Sequence, residues 1–265
     1  MKTDCHLLKG SSLYVRNWID KQPSVKEESL TDWLLFDISS KIPRITYKAF
    51  TRHEEARKTG ADWEWWFLYN NFSYKFRVQA KKLKPNVDNY ASLAYTNAYG
   101  LQIEKLISDV TLHNFLPLYA FYTNNISNTK CGLNIIDEGV YIGEAQELYE
   151  KFIVPVRHVI SDNTILSETI PLSCLLCCEM IRYDNNGTTF LNFLSRYFEK
   201  ISVDGEKSTK LGQYTEIPNY VISIIKSANE KNNSWVEKEF DNFFKDVNGI
   251  LIFDNRDIDK NIFDE

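Results

Sequence analysis

Four side chains between positions 62 and 81 have the types and spacing to do chemistry together: Asp62, Glu64, Gln79 and Lys81. The first two lie in ADWEWWFLY, the most aromatic run of the chain. In a strand alternate residues share a face, so Asp62, Glu64 and Trp66 point one way and Trp63, Trp65 and Phe67 the other. In YKFRVQAKKL, Gln79 and Lys81 share a face, with Val78 and Ala80 opposite. A hairpin that makes the two polar faces coincide gathers two carboxylates, an amide oxygen and an ammonium. Hard oxygen donors suit Mg²⁺ or Mn²⁺. A lysine beside them can orient or deprotonate a water, or stabilise charge developing on a phosphate. This set suits metal-assisted phosphodiester hydrolysis. The plainer reading is that D-x-E is the polar face of a strand and that Trp63, Trp65 and Phe67 are core. Acids within an apolar run still require compensation, from a bound cation or a nearby lysine.

The elements that must position these residues are legible around them. Ser24 and Glu27 stand at capping-box spacing, and Leu30, Trp33, Leu34 and Ile38 recur at helical intervals until Pro43. RITYKAFTR predicts a strand, HEEARKTG a polar turn, ADWEWWFLY a second strand, and YKFRVQAKKL a third, hairpin-paired through Asn70-Asn71. Asp88 is placed to cap one long helix over 88–110. FLPLYAFYT predicts a fourth strand. GVYIGEAQELYEKFI reads as a short strand or turn into a helix. Further on, NFLSRYFEKI and SWVEKEFDNFFKDV read as amphipathic helices, the second with Ser234 and Glu237 as a capping box, and 202–216 as an exposed linker. The order helix, three strands, helix, strand predicts an α/β core with a central mixed sheet flanked by helices.

That order, with D…QxK on the hairpin, resembles the PD-(D/E)xK nuclease superfamily and, within it, the QxK branch of Mrr-like restriction endonucleases, over about residues 24–123. The resemblance implies a restriction-endonuclease-like core over 1–160, with 161–265 as a mostly helical C-terminal extension packed on it, or one continuous domain. It implies that Asp62 and Gln79 hold the metal and that Lys81 assists the attacking water. An extra glutamate on the first core helix falls on Glu28, with Glu27 as its competitor. Gln102 matches a glutamine carried by some members on the following helix. Two departures stand out. Gly60-Ala61 replaces the usual proline before the aspartate, and Gln79 is neutral where most members carry an acid. Glu64 is placed to restore the missing charge as a third ligand, and Glu55 could reach in from the turn. Lys82, Lys84 and Arg77 are candidate phosphate contacts. The implied activity is a Mg²⁺- or Mn²⁺-dependent endonuclease acting on nucleic acid, DNA before RNA, in bacterial restriction or antiviral defence. The alternative is a nuclease-fold binding or assembly protein without chemistry. A second copy of the chain or a partner subunit is a further expected partner.

Composition bounds these readings. The 265 residues are 43% hydrophobic and 14% aromatic, enough for a large core. Net charge is −5, yet Lys41 to Lys84 holds eleven Lys and Arg against four acids. A local basic segment can hold a polyanion despite an acidic total, although a solvated charged face reads the same way. No run approaches the roughly 20 apolar residues of a membrane span, and the N-terminus lacks a signal-peptide core, so the expectation is a cytoplasmic protein with no membrane partner. Cys5, Cys131, Cys174, Cys177 and Cys178 do not look like a secreted disulfide framework. Cys174 and Cys177 have no matching second ligand pair for zinc, and buried thiols are expected. No P-loop, dinucleotide turn or GxSxG elbow occurs.

Overall fold

Two helices open the chain. The computed structural model describes residues 4–50, 60–108, 113–131, 137–155, 159–181, 186–198, 212–229 and 247–256. Helix α1 (Asp4–Lys21), which the sequence reading left unassigned, buries Leu8, Val15 and Ile19. Helix α2 (Glu27–Lys41) buries Leu30, Leu34, Leu35 and Ile38. The expected Ser24 cap is corrected: extended Lys26 occupies the cap position, with no side-chain cap bond. The Glu27 carboxylate that would complete the box instead accepts the Lys82 backbone N–H at 2.6 Å.

Strands β1 (Ile45–Ala49), β2 (Trp63–Leu68) and β3 (Ser73–Lys82) follow. One long helix over 88–110 is not formed. The segment divides into α3 (Tyr90–Leu93), a small hairpin of β4 (Thr96–Asn97) and β5 (Gly100–Leu101), and α4 (Gln102–Ser108). The Asn97 side chain takes the Tyr99 N–H at 2.8 Å, and Gly100 has φ 112°, so local turn bonds displace the helical ladder. Asp88 accepts N–H bonds from both Tyr90 and Ile160, tying the segment to a distant loop. Then come β6 (Leu116–Tyr122), β7 (Val140–Glu144), and α5 (Ala145–Leu148) running into one π-helical turn at Tyr149–Ile153. After these come α6 (Asp162–Leu166), β8 (Ile170–Pro171), α7 (Cys174–Cys177), α8 (Thr188–Tyr197), β9 (Gln213–Tyr214), α9 (Asn219–Asn229) and β10 (Gly249–Asp254).

One mixed sheet runs β1-β10-β2-β3-β6-β7-β8, with β9 pairing the start of β3. The β10–β2 and β3–β6 pairs are parallel and the others antiparallel. Among the described residues the C-terminal region, expected to be mostly helical, thus supplies three strands, and β10 lies between β1 and β2. GILIFD is apolar throughout because both of its faces are covered, and such a run has no alternation to betray it. Gly249 opens the strand where a Cβ would lie 2.3 Å from the Trp63 ring. The expected helix at 234–247 lies outside the described residues except for Val247, as do residues 202–211 of the expected linker.

Each sheet face packs a layer of helices. Trp63, Trp65, Phe67, Phe76, Val78 and Leu251 face α1, α2 and α8. Trp66, Leu68, Tyr119, Phe121 and Ile252 face α3, α4, α5 and α9. The cysteine expectation is corrected at one pair: Cys5 and Cys177, 172 positions apart, form a disulfide between α1 and α7. That pairing depends on tertiary contact and has no local signature. Among the described residues no helix is long and apolar enough to cross a membrane.

Candidate active site

The β2–β3 register pairs Trp63 with Val78 and Glu64 with Arg77. One residue earlier, the Asp62 N–H donates to the Val78 carbonyl at 2.9 Å, which sets Asp62 opposite Gln79. Asp62, Glu64, Gln79 and Lys81 therefore share the sheet face that carries Trp66, as the alternation requires. The four do not form one cluster.

Asp62 stands at the head of β2. Its Oδ2 accepts the Ala80 backbone N–H at 2.9 Å and a hydrogen from Gln79 Nε2. Gln79 is buried, and its Nε2 also donates to the Ala80 carbonyl at 2.9 Å. Its Oε1 accepts from Gln102 Nε2 at 2.7 Å, and Gln102 Oε1 is buried without a hydrogen-bond partner. Gln102 opens α4, and α4 is held against the loop before Asp62 by Gly60. A Cβ there would lie 2.5 Å from the Gln102 carbonyl, and φ is 74°. The Lys81 ammonium lies 5.1 Å from the centroid of Tyr95.

Glu27 reaches the same end of the sheet from the first turn of α2. Burial pushes its carboxyl up to about 7; Lys81 opposes that rise, and the Asp62 charge adds to it. Glu27 thus feels the charges of both Lys81 and Asp62. An open cleft with about 290 Å³ of empty space is lined here by Glu27, Glu28, Thr31, Asp32, Asp62, Trp63, Ala80 and Asn248. Glu28 is exposed at its rim. The helix register puts Asp32 four residues after Glu28 on the same face, a signal present in the sequence but not used. Asn248 could not be foreseen without β10. Its N–H donates to the Asp62 carbonyl at 2.7 Å.

Glu64 sits elsewhere, 1% exposed within the apolar layer. Its Oε1 accepts from Trp66 Nε1 and from the Tyr220 hydroxyl, each at 2.6 Å. Its Oε2 lies 3.3 Å from Lys75 Nζ and 3.3 Å from Arg77 Nε. Burial alone would raise this carboxyl, but Lys75, Arg77 and the Tyr220 and Trp66 bonds outweigh it, and its pKa falls below the ordinary value. Arg77 is itself buried, with its guanidinium 5.6 Å from the Phe115 ring centroid. The Lys82 ammonium donates to the Pro23 and Val25 carbonyls. Lys84 is exposed, and its backbone N–H donates to Asn89 Oδ1. Glu55 lies outside the described residues.

The Asp62 and Glu27 carboxylates that line the cleft and, after reversal, the buried Gln79 amide that contacts Asp62 are oxygen donors that fit a hard divalent cation. Reversing both the Gln79 and Gln102 amides would present Gln79 Oε1 beside Asp62 and give the orphaned Gln102 Oε1 a donor. Among the described residues no group of three or more His, Cys, Asp or Glu side chains is gathered to hold a metal ion, so a cation here would depend on Gln79 or on main-chain oxygen for its third protein donor. No curated protein matches this chain. Over residues 4–259 it matches a family of unknown function. The chain belongs to that family, DUF6615.

Proposed function

We propose that the protein is a metal-dependent nuclease of the PD-(D/E)xK type that hydrolyses phosphodiester bonds, with DNA as its first substrate, in the cytoplasm. The observation that carries this reading is the placement of Asp62, Gln79 and Lys81 on one face of the β2–β3 hairpin, with Asp62 also lining an open polar cleft that Glu27 lines from α2. The order α2, β1, β2, β3, α4, β6, with β6 parallel to β3, supports a restriction-endonuclease-like core. A divalent cation held by Asp62, Gln79 and Glu27 would supply Lewis-acid polarisation of a phosphoryl oxygen. The Gln102 amide orients Gln79. The Lys81 ammonium, which lies over the Tyr95 ring, stabilises charge that develops on the phosphate. Glu27 can hold or release a proton near neutral pH. Glu64 has no part in this site: it pairs with Lys75 and Arg77 within the core. A role in restriction or antiviral defence rests on the resemblance alone.

One observation favours the alternative of an inert nuclease-fold binding protein: the Gln79 amide nitrogen faces Asp62 and closes the hydrogen-bond network without a cation. Incubating the full chain with plasmid DNA, single-stranded DNA and RNA, each with Mg²⁺, Mn²⁺ or EDTA, separates the two. The nuclease reading expects metal-dependent cleavage that Asp62→Asn and Lys81→Ala each reduce by at least about 100-fold, the upper range for losing a metal-site partner. Cleavage unchanged in both variants would remove the site assignment. Binding without cleavage under every condition would leave the inert fold.

A further inference from the structure

On the opposite side of the sheet from α4, three cysteines that the proposed chemistry does not use surround a closed disulfide. Cys5 and Cys177 are bonded. Three positions before Cys177, at the start of α7, Cys174 is buried, and its thiol donates to Cys131 Sγ at 3.2 Å. Cys131, after β6, is half-buried and so the more accessible of the two to a small reagent. The groups facing this pair are Arg196 and Tyr197 of α8, Glu138 ahead of β7, and Cys178 after α7. The Cys174 S–H bond holds the Cys131 thiol down to about 6; burial and the Glu138 charge oppose this, and Tyr197 and Arg196 reinforce it. Cys174 is pushed upward, first by its bond to Cys131 and then by burial. The two sulfurs are therefore unequal: one is half-buried with its thiol held down, the other shielded with its thiol pushed up. This is the division of labour in thiol–disulfide exchange, where a thiolate attacks and a second thiol resolves.

We propose that Cys131 and Cys174 form a second, reversible dithiol–disulfide couple, in which Cys131 attacks a low-molecular-weight disulfide and Cys174 resolves the product. In the first step Cys131 Sγ bonds to one sulfur of the reagent, the reagent's own S–S bond breaks, and one thiolate leaves. In the second, Cys174 gives its proton to that thiolate and attacks Cys131 Sγ. The mixed disulfide breaks and a second thiolate leaves, to take up a proton from solvent. The protein pair loses two electrons, and the reagent gains them. The sulfurs must close from 3.2 Å to a bond length of roughly 2.05 Å, a shift of about 1 Å. The product would join the stretch after β6 to α7, which Cys5–Cys177 already joins to α1. The couple stands whether or not the cleft cleaves nucleic acid.

The test uses the full chain in glutathione buffers of graded oxidised fraction. Samples are quenched with acid, alkylated with N-ethylmaleimide and mapped by mass spectrometry without reduction. Toward the oxidised end, Cys131 and Cys174 should lose alkylation together and appear as one cross-link, with fragment ions placing it on Cys174. Cys174→Ala should instead accumulate glutathione on Cys131, at least tenfold faster than on Cys178. Full alkylation of Cys131 in the wild type across the whole series would overturn the proposal. So would a cross-link from Cys131 to Cys178, or a glutathione adduct on wild-type Cys131 that persists beside an alkylated Cys174.

Discussion

Glu64 is a carboxylate whose partners all lie in the core. It is buried between Lys75 and Arg77, with Trp66 and Tyr220 donating to it. Removing one partner of a buried ion pair leaves an uncompensated charge, at a cost of about 3–5 kcal/mol. Glu64→Gln should lower stability by that order in urea unfolding; a change below about 0.5 kcal/mol, the ordinary surface value, would mean that the ion pairs contribute nothing. The pH dependence has a definite sign. The folded carboxyl titrates below its ordinary value of 4.5. Its contribution is therefore complete above that value and is lost as pH falls through the lower, folded one. Wild type should lose more stability than Glu64→Gln on acidification below about pH 4.5, which melting curves at stepped pH can read. At this scale the sequence told which side chains share a face, because strand alternation is strict. It could not tell that Asp62 and Glu64, two residues apart, belong to different environments. What separates them is Tyr220, Lys75 and the course of α9, all set by packing across the sheet. Glu27 and Glu28 were both legible as candidates. Choosing between them required knowing that Glu27 reaches the Lys82 N–H.

At the scale of elements, the start of β2 and the start of α4 are one unit. Gly60 lies against the Gln102 carbonyl with a left-handed backbone, and Gln102 holds Gln79. Gly60→Ala should cost about 1–2 kcal/mol for the backbone alone, and the lowered melting temperature should be accompanied by reduced cleavage. A variant with normal melting and full activity would show that the contact is slack. Gln102→Leu isolates the polar part: it keeps the helix but removes the donor to Gln79 Oε1. Cleavage should fall about 10–100-fold, as for other partners that orient a ligand, with a small change in melting temperature. Equal rates would leave Gln102 outside the site. The β2–β3 hairpin and β6 were plain in the sequence because short runs rich in aromatic and β-branched residues end in turn residues. The break at 94–101 was not, since its Asn97 and Gly100 turn bonds compete with a helical pattern that is acceptable on either side. α1 gives a weak signal because Leu8, Val15 and Ile19 are its only buried apolar residues in 18 positions.

For the whole molecule, the decisive element is β10. It supplies Ile250 and Ile252 to one layer and Leu251 and Phe253 to the other, and its neighbours on both sides are strands from the first quarter of the chain. A chain ending before Gly249 would leave β1 and β2 with unpaired edges in mid-sheet, which no surface patch can satisfy. Such a truncation should yield no cooperative thermal transition and should accumulate as aggregate. A soluble product with a sharp transition would show that the sheet closes without it. The same placement has a consequence for how the protein is made. β2 ends at Leu68 and β10 begins at Gly249. At roughly 5–20 residues per second, a ribosome needs about ten seconds to over half a minute to synthesise the stretch between them. During that interval the Trp-rich strand that carries Asp62 is finished but has only one of its two eventual neighbours. The nascent chain must keep that edge from other chains until its last partner leaves the exit tunnel, so synthesis rate and chaperone supply, as much as the stability of the finished sheet, should set the yield of active protein.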